Sequence, residues 1–173
     1  MKNTLLLGIL FVIIAVISLG CRDKTDLKEL SGNNPVVTSI ALDRLNQQGD
    51  EAQASIPVLI RLINSPATSV SLKKKGIRTL GAVAEDENCL ALGTFLNDDN
   101  KEIVKTVIIA VAQTGYDPLA EKIRPLLKDP EFRNYAIWCL GQLGNSEDVS
   151  RIAPFLNHKN DTAFVAYKAL LLF

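Results

Sequence analysis

The stretch Phe132-Arg133-Asn134-Tyr135-Ala136-Ile137-Trp138-Cys139-Leu140-Gly141-Gln142-Leu143-Gly144 decides how this chain folds, because variants of it recur along most of the sequence. Counterparts end in Leu80-Gly81-Ala82-Val83-Ala84 and in Val111-Ala112-Gln113-Thr114-Gly115. An earlier copy runs through Ala41, Leu45 and Gly49, and a last half-copy through Ala166, Leu170 and Phe173. The spacing is about 30 residues, a period that marks a solenoid of stacked helical units. Within each copy the apolar residues fall at i, i+4 and i+7, as Ala136, Leu140 and Leu143, or Val107, Val111 and Thr114. That is one face of a helix. Gly49, Gly115 and Gly144 are expected to stop these helices in left-handed backbone, which glycine adopts without a Cβ penalty.

A second helix follows each first one. Asp117-Pro118 and Asn145-Ser146 carry the start signals, an N-cap side chain and, in the first case, proline at a position whose N–H is not needed. The second helices then superpose. Ile56, Cys89, Ala120 and Val149 share one repeat position, and Leu59, Leu92, Ile123 and Ile152 another. Leu62-Ile63, Phe95-Leu96, Leu126-Leu127 and Phe155-Leu156 close each unit before a polar turn. Pro125 and Pro154 recur inside the later second helices, where each removes a backbone hydrogen bond and bends the helix. Arg61 and Thr94 stand at that place in the earlier units.

This pattern resembles the short HEAT-like repeat of the phycobilisome-lyase type, which runs roughly V-R-x-x-A-A-x-A-L-G-x-L-G, a turn, then V-P-x-L-x-x-L-L-x-D. Phe132 to Asn157 matches it best, and Ile56-Pro57-Val58-Leu59 carries the V-P-x-L portion. The resemblance covers residues 35–173 and implies an all-α, armadillo-like α-solenoid of about four and a half helix pairs. Solenoids expose long, tunable surfaces and seldom carry catalytic groups, so the leading expectation is a scaffold that presents its concave second-helix face to a protein partner, with no enzymatic activity. Two other readings accompany it: a lyase-like or accessory enzyme binding a small molecule, and a structural subunit of an envelope complex.

Ahead of the repeats, Lys2 and the apolar run Leu5 to Ile17 form the n-region and h-region of a secretory signal, ending in Gly20-Cys21. The segment resembles a bacterial lipoprotein signal, with Ser18 and Leu19 departing from that pattern. Residues 1–20 are thus the expected signal peptide, Cys21 the lipidated first residue of the mature chain, and 21–34 a polar tether. The expected location is the extracytoplasmic face of the bacterial envelope, with the lipid as membrane anchor. A signal anchor left uncleaved fits less well, since a span wants about 20 apolar residues. Ordinary secretion fits less well too, because no A-x-A-like site precedes Cys21.

Lysine plus arginine equals aspartate plus glutamate at 19 each, so no net field points to nucleic acid. The chemistry-bearing residues are sparse. The single histidine, His158, lies in a turn without a nucleophile in register. Glu85-Asp86-Glu87 and Asp98-Asp99 sit in turns where carboxylates favour helix starts, without the spacing of a calcium loop. Cys89 and Cys139 fall two units apart, beyond the roughly 4.4–6.8 Å that a disulfide bridges, and read as small core residues. No cofactor or metal site is expected.

Two surface features remain as candidate interaction sites. Lys73-Lys74-Lys75 with Arg78 is the basic run, on a first helix. At the C-terminus Ala166, Leu170 and Phe173 should pack inward, leaving Leu171 and Leu172 bare, and an exposed apolar group of this kind marks a docking end for a partner or a second copy.

Overall fold

The computed structural model describes residues 27–31, 34–47 and 49–173, and every regular element among them is helical. The α-helices are α1 Leu27–Ser31, α2 Pro35–Leu45, α3 Ile56–Asn64, α4 Val70–Val83 and α5 Lys101–Thr114. They continue with α6 Ala120–Ile123, α7 Arg133–Leu143, α8 Ser146–Ile152 and α9 Asp161–Leu170. Segments Gly49–Ser55, Asp86–Asn97, Asp117–Leu119, Arg124–Lys128 and Ala153–Asn157 are wound more tightly, as 3-10 helix. The first helices α2, α4, α5, α7 and α9 lie side by side in one layer, and the remaining segments pack behind them as the second helices.

The polar turns start the first helices. Side-chain oxygens of Asn34, Ser69, Asn100 and Asn160 each accept from a backbone N–H in the first turn, satisfying donors a helix cannot pair internally. The repeat register then fills the core. Leu59, Leu92, Ile123 and Ile152 are wholly buried, as are Ile77, Ile108 and Ile137, one from each of three successive first helices. Burying side chains of this size stabilises by about 1.5–3 kcal/mol each, so the stacked rows hold the units together.

Two repeat glycines set the distance between units. A Cβ on Gly81 would stand 2.9 Å from the Ala110 Cβ, and one on Gly141 would stand 2.8 Å from that of Ala169. The first helices therefore meet nearly backbone to backbone at these crossings.

Several sequence expectations change. Gly115 does end α5 in left-handed backbone, at φ 68°, but Gly144 is extended, at φ −70° and ψ 171°. Gly144 is needed for space instead, since a Cβ there would run into the Leu140 carbonyl and the Asp148 carboxylate. Gly49 opens a 3-10 segment rather than closing α2. Asn145 caps α8 as expected, in a reciprocal box with Asp148, whereas Asp117 lies inside the first turn that follows Tyr116. Because that box turns Asp148 inward, its neighbour Val149 is exposed while Ile56, Cys89 and Ala120 are buried.

The third and fourth second helices switch from α to 3-10 winding next to Pro125 and Pro154, and α3, with Arg61 at that place, stays α-helical throughout. Asp86–Asn97 reaches the tighter winding with no proline in it.

Within the expected tether, Leu27–Ser31 is helical and packs on the solenoid. Leu30 is fully buried, the Thr38 hydroxyl donates to the Glu29 carbonyl at 3.0 Å, and Arg44 pairs with Glu29 at 3.1 Å.

Candidate interaction surface

The layer of first helices carries an ion-pair ladder over its amino-terminal part. Lys75 Nζ reaches back to Asp43 at 2.7 Å and Ser39 at 2.6 Å on α2. Lys74 Nζ reaches forward to Glu102 at 3.3 Å on α5. Glu102 also meets Lys105, and Lys105 and Lys101 both bind Glu131 at the start of the next unit. Hydrogen bonds and charge from Lys105 and Lys74 hold the Glu102 carboxyl below its ordinary range, and Lys101 and Lys105 do the same for Glu131. All of these groups are solvent-facing, where such pairs contribute little to stability. The ladder connects each first helix from α2 to α5 with its neighbour and reaches Glu131 just before α7.

The basic run is thereby divided. Lys74 and Lys75 are engaged between helices, Lys73 is half-buried, and Arg78 is exposed. A helix distributes consecutive residues around its axis, so the four cations form no single patch.

At the α7 boundary the ladder gives way to aromatic residues. Lys105 Nζ sits 6.0 Å from the Tyr135 ring centre, and Tyr135 opens a groove of about 370 Å³ lined by Ile109, Asn134, Trp138 and Val165. Trp138, at 37% exposed, occupies the repeat position held by Arg78, Ile109 and Lys168 in the other units. An outward tryptophan at that position is the signal that sequence reading passed over, because it was absorbed into the repeat motif. Asn134 Oδ1 is buried at the groove and has no hydrogen-bond partner.

The groove continues onto the end of the solenoid. Phe164, Tyr167 and Leu171 are 64%, 53% and 61% exposed and follow one stripe of α9. In earlier units the Tyr167 position is an isoleucine buried under the next first helix, and the Leu171 position is Gly81, Ala112 or Gly141. Leu172 is exposed as expected, and so is Phe173, which was expected to pack inward. The reason is that α9 ends at Leu170, so the i+7 face of the repeat does not extend to Phe173.

Leu171 and Leu172 lie at the carboxyl end and the basic run in the second unit, so the two candidate surfaces are separate. Cys21 lies outside the described residues. Cys89 and Cys139 are buried free thiols; burial pushes Cys89 up, against a hydrogen bond with Thr114, and pushes Cys139 up to about 12. Among the described residues no cluster of His, Cys, Asp and Glu could hold a metal ion, and no helix is long and apolar enough to cross a membrane.

No family model and no curated protein matches the chain. Solved structures do. A chain of the CpcE–CpcF complex of phycocyanin lyase from Nostoc sp. PCC7120 superposes with a TM-score of 0.70 at 16% identity over 84% of this chain. The chain spans 62% of the length of that lyase chain. Two engineered proteins superpose at 0.59 and 0.58, with 19% and 18% identity, over 92% of this chain and 82% and 49% of theirs. This corrects the expectation that the chain is not an enzyme, since a structure that shares its fold is a phycocyanin lyase complex, which is enzymatic. Repeat register, two-layer packing and these superpositions agree, and the described chain is a HEAT-like α-solenoid.

Proposed function

We propose that this chain is a lipid-anchored protein of the bacterial envelope whose solenoid docks a protein partner along the groove between α7 and α9 and the adjoining end of α9. The observation that carries the reading is the groove itself. Tyr135, Trp138 and Val165 present apolar surface beside Ile109, where Trp138 takes the position of Arg78 and Lys168 in two other units, and Asn134 Oδ1 waits there as an orphaned acceptor. A buried acceptor without a partner is costly, so a docking segment that brings an apolar side chain and one donor would relieve it. Aromatic anchors in partly formed pockets carry most of the energy of such contacts.

The lipid anchor rests on Gly20-Cys21 and the apolar run before it. A photo-crosslinking residue in place of Trp138, used in intact envelopes, should trap one partner, and Tyr135→Ala should reduce its recovery on native pull-down at least tenfold. Recovery unchanged by Tyr135→Ala and by Trp138→Ala rejects the groove.

The superposition on a phycocyanin lyase chain favours a second reading, in which the docked partner and this solenoid form a lyase-like assembly. A small molecule that copurifies with the complex and is lost with the partner supports this reading. A complex free of any such molecule, and inert toward small-molecule attachment, supports plain docking.

A further inference from the structure

We propose that the amino-terminal end of the solenoid, where Leu27 of α1 and Val36, Val37 and Ile40 of α2 are exposed, seats on the surface of the lipid bilayer. The inference rests on the lipid-anchor reading of Cys21. These four side chains are 39%, 65%, 39% and 47% exposed, and the three on α2 fall at i, i+1 and i+4, one side of the helix. They stand at the opposite end of the solenoid from the aromatic groove.

Chain length argues that lipid covers this face. Five residues separate Cys21 from Leu27, so even a fully extended connection holds Leu27 within about 20 Å of the lipidated cysteine. Leu27 belongs to a helix that is fastened to α2 through Glu29, which bonds both Thr38 and Arg44. With 11 residues, α2 is itself only about 16 Å long. The whole apolar face therefore lies within reach of the headgroups once the acyl chains are inserted, and side chains of this kind bury about 5–10 Å deep at such a boundary.

Charge agrees. The groove beside this face is lined by Val36, Ile40, Asp43, Lys75 and Arg78. Asp43 is neutralised by Lys75 at 2.7 Å, which leaves Arg78 without an ion-pair partner among the described residues. A cation beside an apolar stripe suits an anionic headgroup region.

The test uses the full lipidated chain in vesicles of phosphatidylglycerol and phosphatidylethanolamine that carry a lipid quencher near the headgroup. Trp138 is the single tryptophan and reports from the far end of the solenoid. A reporter at the proposed face is made by Ile40→Trp in a Trp138→Phe background, with Val36→Trp as a second version in case the first disturbs α2. Either face reporter should be quenched at least threefold more strongly than Trp138 in the wild type. Mass measurement of the same samples establishes acylation. An unacylated chain overturns the anchor reading and the seating with it. An acylated chain with equal quenching at both ends overturns the seating alone. Protection of the face reporters in native envelopes but not in pure lipid also overturns it, and assigns the face to a protein.

Discussion

The Arg124 guanidinium grips the Asp148 carboxylate with two bonds, Nε to Oδ1 at 2.8 Å and Nη2 to Oδ2 at 3.0 Å, tying the third unit's second helix to the fourth's. Asp148 is fully buried, and its Oδ2 also accepts the Asn145 N–H that starts α8. Burial alone would raise this carboxyl. The Arg124 bonds and the Asn145 N–H outweigh that and hold it below the usual carboxylate range. On its other side Arg124 meets Glu121.

Asp148→Asn should therefore cost about 2–4 kcal/mol, because it leaves a mostly buried guanidinium facing a neutral amide. The wild-type contribution is pH-dependent. Since the folded-state pKa lies below the unfolded value of about 3.9, the contribution is fully present above that pH and is lost as pH falls through the folded value. Urea midpoints measured from pH 7 to pH 2 should converge for wild type and Asp148→Asn at the acid end; a constant gap across the range would show that the pair is not the titrating element.

Gly141→Ala should destabilise by about 1–3 kcal/mol, since the added methyl meets Ala169 Cβ at 2.8 Å and its backbone at 2.9 Å. Ala169→Gly in the same chain should recover part of that loss, as coupled neighbours do. Additive losses in thermal denaturation would mean that the two helices are not in this contact.

The two described thiols should be silent in the folded protein. Cys139, pushed up to about 12, stays protonated, and Cys89 is 1% exposed with its Sγ 3.3 Å from the Ala84 carbonyl. Ellman's reagent at pH 8 should titrate neither until denaturant is added. Rapid reaction of one equivalent in a Cys21→Ala chain contradicts the burial of one of them.

Leu140→Ala should cost about 2–5 kcal/mol, as a fully buried position in the repeated row. Lys74→Ala should leave the denaturation midpoint almost unchanged, because its bond to Glu102 lies in solvent. Equal shifts for the two variants would place the repeat in another register.

The helix pairs, the turns and the core rows could be read from the sequence, because each depends on local periodicity and capping repeated in register. Leu59, Leu92, Ile123 and Ile152 behave as one position. What could not be read depends on neighbours distant in sequence. The Lys73-Lys74-Lys75 run could be placed on a first helix, but not its partners, since Lys75 and Lys74 bond Asp43 and Glu102, 32 and 28 residues away. Trp138 looked like part of a core motif, and only the packing of α5, α7 and α9 shows that it faces outward. Leu30 was set in a polar stretch, where two leucines, Leu27 and Leu30, are too few to establish a period.

Leu171 stands at the position of Gly81 and Gly141, which meet Ala110 and Ala169 at two of the internal crossings. At the amino-terminal end the residue equivalent to those alanines is Arg44, already paired with Glu29 of α1. A second molecule stacking head to tail would thus press a leucine onto a charged arginine where two internal crossings join glycine to alanine. Repeating units invite open-ended polymerisation, since any heterologous contact that does not close on itself grows into a fibre. At this joint Leu171 and Arg44 lack the small-residue fit of the internal crossings, so a head-to-tail stack would have to be joined by other contacts.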